Sequence, residues 1–333
     1  MNITVIGTGG WGTALAVLLH GNGHVVTLWS RLKEEVEPIL ATRENQAFLP
    51  GVKVPEAITV TLDDAAALRG AELVVLAVPS HGMRPTCVRL KPFLPAGAAL
   101  VHVAKGIEND TGKRMSEVIT ETLGARALAV LSGPSHAEEV ARGVPSAVVI
   151  ASADAALAAM AQDVFMNERF RIYTHDDVTG VELGGALKNV IALAAGVCDG
   201  IGFGDNTKAA LCTRGLAEMS RLGVALGARR ETFFGLSGLG DLIVTAFSRY
   251  SRNRAFGERI GRGETAQQIL GSIKSVAEGV KTAKSVQQVA HRAGVETPIA
   301  AEVYATIYGG KSPGEAVRHL MAREARPEFG PES

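Results

Sequence analysis

Cysteine is scarce in this chain. There are three, Cys87, Cys198 and Cys212, an odd number with no CxxC spacing. That argues against a disulfide framework, and three free thiols, each a small buried side chain in a reducing cytosol, are expected. Net charge is absent too, with 34 Lys plus Arg against 34 Asp plus Glu. Without a global basic field, neither nucleic acid nor an anionic membrane is an expected partner, and any anion site must be local. The eight histidines form no HxxxH or Cys/His cluster, so no metal is expected. No stretch of eighteen residues is uniformly apolar, which argues against a membrane span. MNITVIGTGG also lacks the cationic, apolar and cleavage segments of a signal peptide. A cytoplasmic protein is the expectation.

The chain has 333 residues, 47% hydrophobic and 20% charged, more than one hydrophobic core usually organises. Its first half alternates β-branched runs with helical patterns: NITVIG (2–7), VVTLWS (25–30), AELVVLAVPS (71–80), AALVHVA (98–104), ALAVLSG (127–133) and SAVVIA (146–151). Apolar residues run continuously through them instead of alternating, which predicts α/β architecture around a mostly parallel, doubly wound sheet. After about residue 175 the pattern becomes helix upon helix, including one continuous helix over 231–246 and one started by Thr297 as N-cap with Pro298 at the first position. The predicted division is a dinucleotide-binding domain over 1–175, an all-helical domain over 176–325, and a flexible tail over 326–333.

Gly7, Gly9 and Gly12 make G-x-G-x-x-G between a strand and a helix in IGTGGWGTAL. The first glycine permits a tight turn, the second lets backbone approach a pyrophosphate, and the third packs helix on strand; the helix N-terminus supplies N–H groups for the anion. The competing reading is an ordinary glycine turn. About 20 residues on, where an acidic residue would grip the ribose of NAD, the sequence reads Trp29, Ser30, Arg31. With no carboxylate at the strand end, Arg31 is expected to favour NADP(H), unless it only faces solvent or stacks on adenine. Ligands gather outside the carboxyl ends of such strands, so Pro79 and Ser80, Lys105 with Gly106, and the segment SGPSHAEEV (132–140) are expected near the site. His136, just ahead of Glu138 and Glu139, reads as a capping group, or one that supports residues touching the ligand, more readily than as a catalytic one.

In VELGGALKNVIALAAGVCDG, Lys188 is the lone cation of an apolar helix. One turn earlier on the same face stands Gly184, with Gly185 and Ala186 alongside, and the missing side chains are expected to leave room for a ligand beside the ammonium. Burial lowers a lysine pKa and suits it to exchange a proton with an alcohol or carbonyl; the bland alternative is a lysine paired structurally with one carboxylate. Asp241, after the turn GLSGLG, is the candidate partner. Ser251, Arg252 and Asn253, in SRNR, combine a hydroxyl, a guanidinium and an amide ahead of a helix and suit a small phosphate or carboxylate, or else merely cap that helix. Glu278, in VAEGV, opens a further helix as a dipole partner.

Across nearly its whole length the sequence resembles the bacterial NAD(P)-dependent glycerol-3-phosphate dehydrogenases. The match is carried by GTGGWGTALA, NQAFLPGV, AVPSHGMR, AKGIE, SGPSHAEEVARGVPSAVVIA, VELGGALKNVIALAAG, GDNTKAAL, TRGLAEM, GLSGLGDLIVTAFSRYSRNRAFG and AEGV. The resemblance implies a Rossmann domain followed by an all-helical domain, and commonly a dimer. The implied activity is reversible reduction of dihydroxyacetone phosphate to sn-glycerol 3-phosphate, feeding phospholipid synthesis in the cytoplasm. By position it implies Lys188 as proton donor to the ketone oxygen, or acceptor in the oxidative direction, Lys105 as a contact shared by cofactor and substrate, and Asp241 as a substrate contact. In the mechanism expected from this, Lys105 and Asn189 polarise and orient the ketone and Asp241 keeps the lysine placed and tuned. Gly133, Ser135, Ser251, Arg252 and Asn253 are implied as further substrate contacts, the last two on the phosphate. Gly10, Trp11, Arg31, Lys105, Ala137, Arg252, Val276 and Glu278 are implied as cofactor contacts beside Gly7, Gly9 and Gly12. Two positions depart from the pattern: a small residue and cysteine are common where Ala246 and Phe247 stand, and Trp11 often gives way to Tyr or Phe. Two rivals remain. A β-hydroxyacid dehydrogenase of the 6-phosphogluconate type would share the lysine but not SRNR after GLSGLGD; a non-catalytic NAD(P)H sensor would lack the lysine.

Overall fold

The computed structural model describes residues 1–273, 277–325 and 327–328; Val276 and most of the expected tail lie outside the described residues. The chain divides into two compact units, Met1–Ala104 with Met115–Val178 and Lys105–Arg114 with Thr179–Ser333. The excursion of Lys105–Arg114 into the second unit has no counterpart in the expected linear division. Hydrogen bonds account for it. Ser285 Oγ donates to Ile107 O at 3.1 Å, Arg292 Nη1 to Thr111 O at 2.7 Å, and Arg114 Nη1 to Glu182 Oε2 at 2.6 Å.

In the first unit eight strands form one sheet in the order β3-β2-β1-β4-β5-β6-β7-β8. They are β1 (Asn2–Ile6), β2 (Val25–Trp29), β3 (Thr59–Thr61), β4 (Leu73–Leu76), β5 (Ala99–His102), β6 (Leu128–Ser132), β7 (Ser146–Ala151) and β8 (Phe170–His175). Every pairing is parallel except β6 with β7, which is antiparallel. Ile3 and Val5 enter one apolar cluster and Ile6 enters another on the opposite face, and β4 and β5 are buried at every residue. Burial on both faces is why these strands read as unbroken apolar runs. Two strands lay outside the expected set. β3 is only three residues long, and β8 is an edge strand whose exposed Arg171 and Tyr173 alternate with buried Phe170 and Ile172.

The second unit is helical among its described residues, with its own core from Ile107 and Leu183 through Val303. Its central helix, Val178–Ile201, is long and apolar enough to cross a membrane by composition, with a window of mean hydropathy 1.5, yet 89% of that window is buried inside the protein. It is a core helix. The helix expected over 231–246 is broken into a 3₁₀ turn (Arg230–Phe234), a π turn (Leu236–Gly240) and a short α-helix (Asp241–Phe247). Three glycines in GLSGLG weaken the α-helical preference. Thr297 does precede the helix Pro298–Tyr308, but its side chain makes no capping bond. Instead the Glu218 carboxylate accepts from Ile299 N at 2.8 Å and Ala300 N at 2.9 Å. Burial pushes the Glu218 pKa up to about 7, against the pull of those two backbone bonds.

The helix Arg252–Gly261 crosses the central helix at backbone contact. A Cβ on Gly257 would lie 2.0 Å from Leu193 O, and one on Gly196 would lie 2.0 Å from Arg254 O. Gly257→Ala must separate the two helices and is expected to cost about 1–3 kcal/mol. Gly271, in the exposed helix Ala266–Ser272, has nothing within 4 Å of its Cβ position. Gly271→Ala is expected to add about 0.4–1 kcal/mol. Urea midpoints of the two variants measure both; equal shifts would contradict the close crossing.

Candidate active site

β1 runs into the helix Gly10–Gly21 through the glycine turn. Gly7 has φ +118° and lies against β4, where a Cβ would meet Ala77 O at 2.7 Å; a Cβ on Gly12 would meet Gly7 O at 2.0 Å. At Gly9, by contrast, a Cβ would meet no atom within 4 Å, so the turn is open on that side. No acidic residue stands in the helix's first turn. A strained, tightly packed turn with an open face at a helix N-terminus fits a dinucleotide pyrophosphate, with Gly9, Gly10 and Trp11 as the backbone that would hold it. The Trp11 ring itself packs tilted on Phe170, centroids 6.4 Å apart.

Arg31 is exposed just beyond β2. The strand end also has a carboxylate that the sequence reading missed. Glu35 Oε2 accepts a hydrogen bond from Ser30 Oγ at 2.8 Å and another from the Thr8 hydroxyl, tying the second strand's exit to the glycine turn. The only signal for it was its place one turn into the next helix, Lys33–Thr42. Beyond β6, Gly133 has φ +130° and Ser135 Oγ donates to its carbonyl at 2.9 Å. His136 then precedes the short helix Ala137–Val140 without making a side-chain capping bond, so its expected capping role is absent there. All of these residues belong to the first unit.

The buried lysine–aspartate group belongs wholly to the second. Lys188 is buried halfway along the central helix, and its Nζ donates to Asp241 Oδ1 at 3.0 Å and to Thr245 Oγ1 at 2.5 Å. Lys105 Nζ donates to the other carboxylate oxygen, Oδ2, at 2.7 Å. Thr245 in turn donates to Asp241 O at 2.6 Å, so its oxygen is oriented to accept from the lysine. An ammonium has three N–H groups, and with two so used the third remains for a ligand. Burial lowers the Lys188 pKa to about 8; Lys105 adds to that fall and Asp241 opposes it. Burial would raise the Asp241 pKa, but the two ammoniums outweigh it and hold the carboxyl below its usual range. Thr245 was not picked out from the sequence, although it stands four residues from Asp241 and therefore on the same helical face.

The glycine beside the lysine has another purpose than the one expected. A Cβ on Gly184 would lie 2.9 Å from Ser237 O. Its missing side chain admits the π turn's backbone, which leads straight into Asp241, and leaves no pocket at that point for a ligand.

The remaining polar residues form a chain from SRNR to Lys105. Ser251 caps the helix Arg252–Gly261 by accepting from Arg254 N at 3.1 Å, and Arg252 is exposed at its first position. Asn253 Nδ2 donates to Asn189 Oδ1 at 2.9 Å, while its Oδ1 accepts from Gly279 N, also at 2.9 Å. Asn189 Nδ2 donates onward to Lys105 O at 3.3 Å. Glu278 opens the helix Glu278–Ala293, whose second residue is thus held by Asn253. These two bonds leave one N–H of Asn253, beside the exposed Arg252.

An α/β unit with this glycine turn, together with a helical unit holding a buried lysine–aspartate group, marks a nicotinamide-dependent oxidoreductase. Residues 2–158 match the family model described as NAD-dependent glycerol-3-phosphate dehydrogenase N-terminus, and residues 177–318 match that for the C-terminus. The glycerol-3-phosphate dehydrogenase (NAD(P)+) of Moorella thermoacetica is 53% identical over 322 residues, covering 97% of this chain and 96% of that one. Its counterpart from a Thermoanaerobacter strain is 51% identical over 99% of each chain. A crystal structure of glycerol-3-phosphate dehydrogenase from Coxiella burnetii superposes with a TM-score of 0.94 at 36% identity, covering 97% of this chain and 99% of that one. The chain belongs to the NAD-dependent glycerol-3-phosphate dehydrogenase family, and it is an enzyme.

The Lys188 pKa sets a pH dependence. Carbonyl reduction that draws its proton from Lys188 keeps its rate while the ammonium is protonated and loses it above about pH 8. Alcohol oxidation needs the free amine and gains rate over the same range. Initial rates in both directions measure this; a reduction rate that held level well above that pH would contradict Lys188 as the donor.

Proposed function

We propose that this enzyme interconverts dihydroxyacetone phosphate and sn-glycerol 3-phosphate with NAD(P)H, supplying glycerol 3-phosphate for phospholipid synthesis in the cytoplasm. The observation that supports it most is the Asp241 carboxylate bonded to both Lys188 and Lys105, with Asn189 and Asn253 linking that group to SRNR. Bound nicotinamide supplies the hydride. Lys188 gives its remaining N–H proton to the oxygen of the ketone, Lys105 and Asn189 polarise and orient that oxygen, and Asp241 holds both ammoniums in place. Arg252 binds the phosphate, with Ser251 and the free N–H of Asn253 beside it; Gly133 and Ser135 are further substrate contacts. Gly7, Gly9, Gly10, Trp11 and Gly12 hold the pyrophosphate, and Arg31, Lys105, Ala137, Arg252, Val276 and Glu278 complete the cofactor contacts. Arg31, exposed past β2, favours the 2′-phosphate of NADPH over NADH. The enzyme acts as a homodimer, with a Rossmann domain and an all-helical substrate-binding domain.

Oxidation of NADPH on adding dihydroxyacetone phosphate tests the substrate, with reduction of NADP+ on adding glycerol 3-phosphate, 6-phosphogluconate or 3-hydroxyisobutyrate run in parallel; turnover of 6-phosphogluconate or 3-hydroxyisobutyrate in place of the glycerol phosphate couple would sink the proposal. Lys188→Ala is expected to abolish nearly all turnover, a loss of about 10²-fold or more, while NADPH still binds. Cofactor binding by fluorescence separates that outcome from misfolding. Arg31→Ala is expected to reduce the NADPH-to-NADH ratio of kcat/KM; an unchanged ratio would remove Arg31 as the determinant.

A further inference from the structure

Between Gly202 and Ala210 the chain is exposed at every residue but one, Lys208. A lysine turned inward from an exposed helix start loses hydration and must gain something for it. Its Nζ lies 2.8 and 3.0 Å from the two oxygens of Asp199, near the end of the central helix. The same carboxylate holds Arg254 Nε at 2.6 Å. Lys208 also stands over the Phe247 ring, 4.5 Å from its centroid. Phe247 is the last residue of the helix that begins with Asp241, and Arg254 is the third residue of the helix that begins with Arg252.

Lys208 therefore touches or bridges the ends of three elements: the helix of Lys188, the helix of Asp241 and Thr245, and the helix whose first turn presents Arg252 and Asn253. Arg254 is further tied to Glu258 on its own helix, with Nη1 3.4 Å from Oε2. We propose that Lys208 is a positioning residue that fixes the phosphate-binding first turn at Arg252 and Asn253 relative to the proton-donating Lys188, acting through Asp199, Arg254 and Phe247. The inference rests on the proposed function. Its chemistry is specific to the anion clamp: an Arg252 held in one place binds a phosphate without first losing side-chain and helix-end freedom, which is preorganisation. The proton-transfer group has its own independent bonds to Asp241 and Thr245 and does not need Lys208 to stay assembled.

The test is steady-state kinetics of the full-length enzyme with dihydroxyacetone phosphate and NADPH. Lys208→Met is expected to raise KM for the triose phosphate by about tenfold while kcat stays within about twofold of wild type and the Kd of NADPH, to which Arg252 is one contact among many, changes by less than the KM. Lys208→Arg, which keeps the charge and the cation–π contact, is expected to restore most of the KM. A lysine that served folding alone would lower the active fraction, and so kcat, with KM unmoved; that result overturns the proposal. So does a KM shift that Lys208→Arg fails to relieve. Should Lys208→Met not accumulate as folded protein, Asp199→Asn keeps the shape, removes the bridging charge and must raise KM in the same direction. A wild-type enzyme inactive on the triose phosphate overturns the proposed function and this inference with it, whereas an active wild type with unshifted variants overturns only the inference.

Discussion

The buried polar cluster of the helical unit depends on one carboxylate. Asp241 faces two ammoniums, one on each oxygen. Without it Lys105 would be an unbalanced like charge beside the buried Lys188, disfavouring the protonated form of Lys188. With it, the pair has a shared counterion, and Lys188 settles at about 8 because burial and Lys105 pull its pKa down while Asp241 holds it up. A lysine exposed to water would keep its proton too firmly to exchange it near neutrality, and a lysine buried without the aspartate would not carry one.

The surroundings hold this group by hard contact. Gly184 lets the π turn press its backbone against the central helix, and Gly196 and Gly257 let the SRNR helix cross it backbone to backbone. Neither crossing can slide or tilt far without a clash, so the offsets among Lys188, Asp241 and Arg252 are set by main chain and not by flexible side chains. The first unit uses the same device in its glycine turn, where Gly12 lies on the Gly7 carbonyl, Gly7 on Ala77 O and Gly10 on Phe48 O, while the turn keeps one open face at Gly9.

Much of this was legible because local pattern and global burial agree. Strands buried on both faces are continuous apolar runs, and a helix buried on all sides is apolar throughout, so β1, β4, β5 and the Lys188 helix could be read directly. The failures share a cause. β8 alternates because it is an edge; Gly184 looked like clearance for a ligand because its true neighbour, Ser237, is remote in sequence; Thr297 looked like a cap because Glu218 is more distant still. Thr245 and Glu35 reach their partners only after a turn has folded. The break in the helix expected over 231–246 had a local sign, its three glycines, that apolar periodicity overrode.

The sequence by itself determined the change from alternating strands and helices to helices alone, the glycine turn between β1 and its helix, and the residue types of the site: a lone lysine in an apolar helix, an aspartate after a glycine-rich turn, and a Ser-Arg-Asn triplet at a helix start. These follow from spacing along the chain, which fixes which side chains share a face. Only tertiary structure decided which of them meet. It assigned Lys105 to the helical unit, put it across Asp241 from Lys188, and turned Asn253 toward Asn189. It also buried Lys208 against Asp199. All but the last, whose partners stand nine residues apart, join residues far apart in the chain, and their geometry depends on how closely two backbones approach, a quantity that no local pattern encodes.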